Sequence, residues 1–258
     1  MFLNLVNKIT NKFGYQLKVE KLNFPHDIFG DKEFMKVYDV CKEHTMTSLE
    51  RMYSLYQSMN YIIANKIEGD LVECGVWKGG SSMLMAIMLK GQGITDKKIY
   101  LYDTFEGMSE PSSFDKSFKG DSASTLLNKE KKENENSIWC YSSIDNVKNA
   151  LFSTGYPEEN LLFIKGKVED TLLEHVPGRL SLLRLDTDWY ESTRIELQIL
   201  YPLLSEQGVL IIDDFGHWAG ARKAVMEYFM QQGNHPFLHR IDYTGRLIIK
   251  NHLDKKNN

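Results

Sequence analysis

Two short segments of this chain end apolar runs in acid: Leu183-Arg184-Leu185-Asp186-Thr187-Asp188 and Ile211-Ile212-Asp213-Asp214. Ionised carboxylates packed together repel unless something positive sits among them. An all-oxygen set of that density suits a hard divalent cation, Mg²⁺ first and Ca²⁺ or Mn²⁺ next. That cation site is where the chemistry is expected. Asp188, two residues beyond Asp186, is a candidate base beside it. The stretch Asp188 to Glu191 also fits the capping pattern of a helix start, so a structural role competes with the catalytic one. His217 follows the acidic pair and could touch substrate or metal, although a His at a helix start also serves as a surface or capping residue.

Both acidic segments read as buried strands delivering side chains to the rim of a sheet, with one helix's worth of sequence between them. A strand, a helix and a second strand make a right-handed parallel unit, which brings both acidic ends to the same sheet edge. From residue 70 onward, apolar runs alternate with helical patterns. This predicts strands at Leu71–Cys74, Ile99–Tyr102, Leu161–Lys165, Leu180–Leu185 and Val209–Ile212. Helices are expected at about 80–90, 143–153, 168–175, 191–203 and 217–232. Phe237–Asp242 and Arg246–Lys250 flank Tyr243-Thr244-Gly245 as an antiparallel hairpin. The outline is a class I methyltransferase domain: α/β, Rossmann-like, with a mostly parallel seven-stranded sheet closed by that hairpin.

Residues 1–44 read as an N-terminal helical cap, with Leu3, Val6, Ile9 and Phe13 at helical spacing and a loop around Phe24-Pro25-His26-Asp27. Residues 45–258 form the catalytic domain. Thr47-Ser48-Leu49-Glu50 matches a capping box at the start of a helix reaching about Asn65. The polar stretch from Phe105 to about Asn136 is a lid candidate or a disordered loop.

A second constellation lies at Glu73-Cys74-Gly75-Val76-Trp77-Lys78-Gly79-Gly80-Ser81-Ser82. Glycines after a strand let the backbone turn sharply and approach a ligand, and the helix start offers free amides. Asp103, at the end of the second strand, could accept hydrogen bonds from a ribose diol or cap a turn. The spacing is not G-x-G-x-x-G, and Trp77 would crowd a pyrophosphate while lining an adenosyl or methionyl group. S-adenosylmethionine is therefore favoured over NAD.

The net charge of −4 and the mixing of Lys129, Lys131 and Lys132 with acids argue against a nucleic-acid surface. No apolar run reaches the length of a membrane span and no signal peptide opens the sequence, so a cytoplasmic protein is expected. Cys41, Cys74 and Cys140 are scattered without zinc or disulfide spacing, and inert thiols are expected, with Cys74 packed in a strand. Phe2, Phe13 and Tyr15 could pack a second subunit as a homo-oligomer, or fill the core instead.

The chain resembles the macrocin O-methyltransferase (TylF) family, which methylates sugar hydroxyls of natural products. The matching stretches are Thr45 to Arg51, Glu73 to Gly80, Asp103 to Gly107, Gly166 to Leu172, Asp186 to Thr193 and Asp213 to Trp218. The resemblance implies Asp186, Asp213 and Asp214 as Mg²⁺ ligands and Asp188 as general base; Asp186 is counted beside Asp188 in the catalytic group, and so is His217 from its position after the acidic pair. It also implies S-adenosylmethionine contacts from Thr45, Glu73, Gly75, Trp77, Asp103 and Ser143, and Met46, Val76, Ser81 and Gly166 are counted with them as cofactor-binding. The acceptor implied is a small molecule or glycan with adjacent hydroxyls. A catechol-like diol is the runner-up acceptor. An NAD-dependent sugar oxidoreductase and a catalytically silent subunit are the readings from other classes.

Overall fold

The computed structural model describes residues 25–251 apart from 133, 135 and 136. Among these, the residues from Glu33 onward form one compact unit, and those up to Lys32 belong to another. The smaller unit shows helix α1 (His26–Gly30), with Pro25 at its N-cap where a loop was expected. The helical pattern from Leu3 to Phe13 and the aromatics Phe2, Phe13 and Tyr15 lie outside the described residues.

Helix α2 (Lys32–Cys41), all but its first residue in the larger unit, packs on α3 (Leu49–Ala64) through Phe34, which is fully buried with its ring 4.9 Å from that of Tyr53 and 5.3 Å from that of Tyr56. Ser48, rather than Thr47, caps α3, its hydroxyl accepting the Arg51 N–H at 3.2 Å. The Thr47 hydroxyl is taken by a different donor, described below.

Seven strands, β1 (Asp70–Cys74), β2 (Ile99–Asp103), β3 (Leu161–Lys165), β4 (Leu180–Leu185), β5 (Leu204–Ile212), β6 (His239–Arg240) and β7 (Arg246–Ile249), lie in the order β3-β2-β1-β4-β5-β7-β6. The first five pair in parallel, and β7 runs antiparallel between β5 and β6. This is the mostly parallel sheet with a C-terminal antiparallel hairpin that the sequence pattern predicts. Strand β5 begins earlier than its apolar run because the polar Ser205-Glu206-Gln207-Gly208 still pairs: Lys250 N–H donates to the Gly208 carbonyl at 2.9 Å. Strand β6 is shorter than expected, and both its residues are exposed at the sheet edge. Helices α4 (Gly80–Gly91), α6 (Ile144–Ser153), α7 (Val168–Glu174), α8 (Tyr190–Leu200) and α9 (Ala219–Gln231) connect the strands, and the short α5 (Ala123–Leu127) lies in the long segment after β2.

Register places the chemistry. Cys74 pairs with Leu185 and Leu185 with Ile212, so the three central strands end level. The ladder runs one step further, since Asp186 N–H donates to the Cys74 carbonyl (2.8 Å) and Asp213 N–H to that of Leu185 (2.9 Å). Glu73 stands beside Arg184 one row below. Because side chains alternate faces with period two, Arg184 and Asp186 project to the same side of β4.

Candidate active site

The turn after β1 is built around Gly75, at φ 83°, where an added Cβ would lie 2.0 Å from the Asp186 carbonyl oxygen. Only glycine allows the two strand ends to approach so closely. Gly80 at the start of α4 is equally confined, a Cβ there falling 2.7 Å from the His44 carbonyl oxygen, which sets Thr45 beside the turn. Asp103 closes the loop from the neighbouring strand: its carboxylate accepts the N–H of Val76 (2.6 Å), Trp77 (3.1 Å) and Phe105 (2.6 Å). The carboxylate expected to receive a ribose thus already shapes two loops through backbone amides.

The acidic cluster stands next to this turn. One oxygen from each of Asp186, Asp188 and Asp214 converges, all within 4.8 Å of one another. Asp188 adopts a left-handed backbone conformation, φ 68°, which turns its side chain into the cluster. It therefore does not cap α8, whose N-cap is Trp189. Burial pushes the Asp188 carboxyl up to about 7, against hydrogen bonds to Asp214 and the Trp218 side chain, and burial likewise raises that of Asp214. Asp214 Oδ2 is buried with no hydrogen-bond partner. A buried carboxylate oxygen without a partner, on a residue that converges with two other carboxylates, is one that a bound cation would satisfy.

Asp213 stands differently from the expectation that placed it with Asp186 and Asp214. Its Oδ1 accepts from Arg184 Nη2 at 2.6 Å, and its Oδ2 pairs with Arg51 Nη1. Arg184, 2 % exposed, also donates to Glu73 (2.8 Å), Asp186 Oδ2 (2.7 Å) and the Thr47 hydroxyl (3.1 Å). Glu73 is pushed up to about 7 by burial, an effect that Arg184 and the Ser82 hydroxyl oppose. Arg51 continues the chain to Asp242 at 3.1 Å. Sequence reasoning missed both arginines as site residues. Arg184 carried a signal, since a guanidinium in a strand buried at all six positions requires anionic partners.

A cavity of ≈ 400 Å³ joins the two constellations, with Thr45, Met46, Glu73, Gly75, Val76 and Trp77 in its lining. Ser81, Asp103 and Gly166 line it as well, together with Asp186, Asp188, Asp213, Asp214 and His217. Ser143 does not: its hydroxyl accepts the Asn146 N–H as the N-cap of α6, and it stands outside the lining. The His217 imidazole is half-buried and held toward its neutral form, by burial first and then by Arg51 and Lys119, with Nδ1 3.1 Å from the Tyr243 hydroxyl.

The segment after β2 is folded against this edge. Asp115, 1 % exposed, accepts the Tyr190 N–H at 2.8 Å and so caps α8 from a distance, while its other oxygen accepts the amide and hydroxyl of Ser112 (both 2.7 Å). Trp189 donates to the Ser109 carbonyl at 3.0 Å and packs with Trp218, Ala123, Leu127 and Ala221. Gly107, Met108 and Ser109 of this segment line the cavity, which makes it a wall of the site. Cys74 and Cys41 are buried thiols whose pKa values burial raises. No helix among the described residues is long and apolar enough to cross a membrane.

Comparison with known proteins agrees with this architecture. The chain is 35% identical over 246 residues, 95% of its length and 90% of the relative's, to an 8-demethyl-8-(2,3-dimethoxy-alpha-L-rhamnosyl)-tetracenomycin-C 4'-O-methyltransferase of Streptomyces olivaceus. It is 29% identical to the demethyldecarbamoylnovobiocin O-methyltransferase of Streptomyces niveus, covering 88% of this chain and 85% of that one. The solved structure of the O-methyltransferase NovP superposes with a TM-score of 0.71 at 29% identity, over 81% of this chain and 83% of that one. The NAD-dependent alternative does not survive these matches. Residues 20–250 match the macrocin-O-methyltransferase (TylF) family model, and the chain is an O-methyltransferase that belongs to that family.

Proposed function

We propose that this enzyme transfers the methyl group of S-adenosylmethionine to a sugar hydroxyl of a natural-product glycoside, with Mg²⁺ bound at the acidic cluster. The single observation that carries the reading is the convergence of Asp186, Asp188 and Asp214, with Asp214 Oδ2 orphaned, in the same cavity as the Gly75 turn. The donor set fits a hard dication, being all oxygen and more negative than the arginines beside it can balance. Asp186 and Asp214 would hold the ion. When bound, it supplies acidification of a coordinated hydroxyl. Asp188, at the edge of the same cluster, accepts the hydroxyl proton. Asp213 anchors Arg51 and Arg184, and Arg184 in turn holds Asp186 in place.

For the methyl donor, the Gly75–Trp77 turn, the Thr45–Met46 segment and Gly166 provide the wall of the cavity, and Asp103 fixes the turn. The residues' task is alignment, since an oxygen held in line with a sulfonium methyl group has lost most of the entropy that opposes transfer. The sugar acceptor rests on the rhamnosyl group in the named substrate of the Streptomyces olivaceus relative. The test is a screen of deoxysugar and aminosugar glycosides with S-adenosylmethionine and Mg²⁺, read by methyl transfer. Full turnover in excess EDTA would remove the ion from the proposal, and methylation of catechols with no glycoside turned over would remove the sugar.

A further inference from the structure

Three aromatic rings from separate parts of the chain meet where the cavity opens to solvent. Phe118 comes from the segment after β2 and is 60% exposed; Tyr243 comes from the β6–β7 hairpin and is 53% exposed. His217, from the loop between β5 and α9, completes a near-equilateral triangle with them, its ring 5.3 Å from Phe118 and 6.1 Å from Tyr243, and the Phe118 and Tyr243 rings are 6.2 Å apart. His217 and Tyr243 belong to the cavity lining together with Asp214, so the trio extends the acidic side of the cavity outward.

Each ring stands on a rigid support. Ser117 bridges to Trp218, and a turn with Gly120 N–H donating to the Ser117 carbonyl at 2.8 Å presents Phe118. Tyr243 is clamped because Gly216 lets the hairpin approach to where a Cβ would be 2.0 Å from the Tyr243 carbonyl oxygen. The Thr244 hydroxyl then donates to the Asp213 carbonyl at 2.8 Å, and Asp242 accepts the amides of Thr244 (2.9 Å) and Gly245 (2.7 Å). Exposed aromatic surface held rigidly at the rim of a polar cavity is suited to stacking on a ligand rather than to filling the core.

The occupant follows from position. A hydroxyl undergoing methylation must reach the aspartates, so whatever its sugar is attached to leaves past His217 and meets the rings. Among the described residues, a diphosphate leaving by that route would meet aromatic surface, the Lys119 ammonium 5.5 Å from the Phe118 ring centre, and Arg51, whose guanidinium is already taken by Asp213 and Asp242. Resting on the glycoside reading above, we propose that Phe118, His217 and Tyr243 bind the aglycone, and that the acceptor is a glycoside with a planar apolar aglycone rather than a free or nucleotide-linked sugar.

The test uses the full chain with Mg²⁺ and one sugar, the best in the glycoside screen, presented as its methyl glycoside, its 4-methylumbelliferyl glycoside and its nucleoside diphosphate conjugate. The expected result is a KM for the aryl glycoside about tenfold below that of the methyl glycoside, the size of one well-stacked ring. Phe118→Ala should raise the aryl KM by a similar factor, with kcat and the methyl-glycoside KM unmoved, and Phe118→Trp should restore it. Fluorescence titration of the methylumbelliferyl glycoside with S-adenosylhomocysteine present should show the same loss of affinity without turnover. Equal KM values for aryl and methyl glycosides, a preference for the nucleotide-linked sugar, or a Phe118→Ala loss shared by both glycosides would overturn the assignment. A panel in which no glycoside is methylated would overturn the reading on which it rests.

Discussion

At Asp188 the backbone departs from ordinary geometry in order to serve the cluster. Its φ of 68° is one that Asn tolerates as well as Asp does, so Asp188→Asn removes the proton acceptor while keeping the turn. Turnover is expected to fall by about two to four orders of magnitude, with S-adenosylhomocysteine affinity by calorimetry unchanged. Near-normal kcat in that variant would return Asp188 to a structural role. Arg184 makes the complementary case. Four of its hydrogen bonds bring together Glu73, Asp186, Asp213 and Thr47, from three strand ends and the approach to α3. Arg184→Met leaves buried carboxylates uncompensated, and urea unfolding is expected to show a loss of about 3–5 kcal/mol. Arg184→Lys, which keeps the charge but not the fork, should recover only part of it. The aspartates were legible in the sequence because each ends an apolar run. Arg51 was not, since its partners Asp213 and Asp242 lie 162 and 191 residues away and only the closed sheet brings them near.

Among the elements, the segment after β2 shows where sequence patterning runs out. Its polar composition suggests a loop, yet Asp115 is among the most buried acids, and its oxygen occupies the space that a Cβ on Gly220 would take, 1.8 Å away. The side chain caps α8 across 75 residues of sequence, a relation that no local pattern records. Asp115→Ala removes that cap together with the Ser112 hydrogen bonds, and a loss of about 1–2 kcal/mol is expected, with proteolysis concentrated in residues 105–136. A variant as protease-resistant as the parent would mean that the Trp189–Trp218 packing alone holds the segment. Element type and order were readable along the sheet because buried parallel strands are continuous apolar runs. The misplaced boundaries have local causes. Ser48 displaced Thr47 as the α3 cap once the Thr47 hydroxyl served Arg184, and the polar start of β5 paired with Lys250 despite its composition.

On the scale of the whole molecule, buried acid governs how stability depends on solution conditions. Burial pushes Glu196 up to about 8, its oxygen receiving the Thr187 hydroxyl at 2.9 Å, so the native state keeps a proton that the unfolded chain releases above its ordinary value of 4.5. The stabilisation is complete below that value and is lost as pH rises toward about 8, at roughly 1.4 kcal/mol per pH unit for one proton. Glu196→Gln should therefore match the parent's melting temperature at pH 5 and exceed it at pH 8; equal melting temperatures at both would show that Glu196 ionises normally. The acidic cluster provides the converse lever, because a ligand that binds only the folded chain stabilises it by about 2.7 kcal/mol at one hundred times its dissociation constant. Mg²⁺ should raise the melting temperature and EDTA should reverse the rise. Asp214→Asn, which neutralises the orphaned oxygen's carboxylate, should abolish the response. Asp213→Asn separates the two arrangements of the site. If Asp213 holds arginines, the variant melts lower but still responds to Mg²⁺; if Arg51 yields Asp213 to the ion, the response disappears as it does in Asp214→Asn. The three converging oxygens, none of them from Asp213, favour the first result.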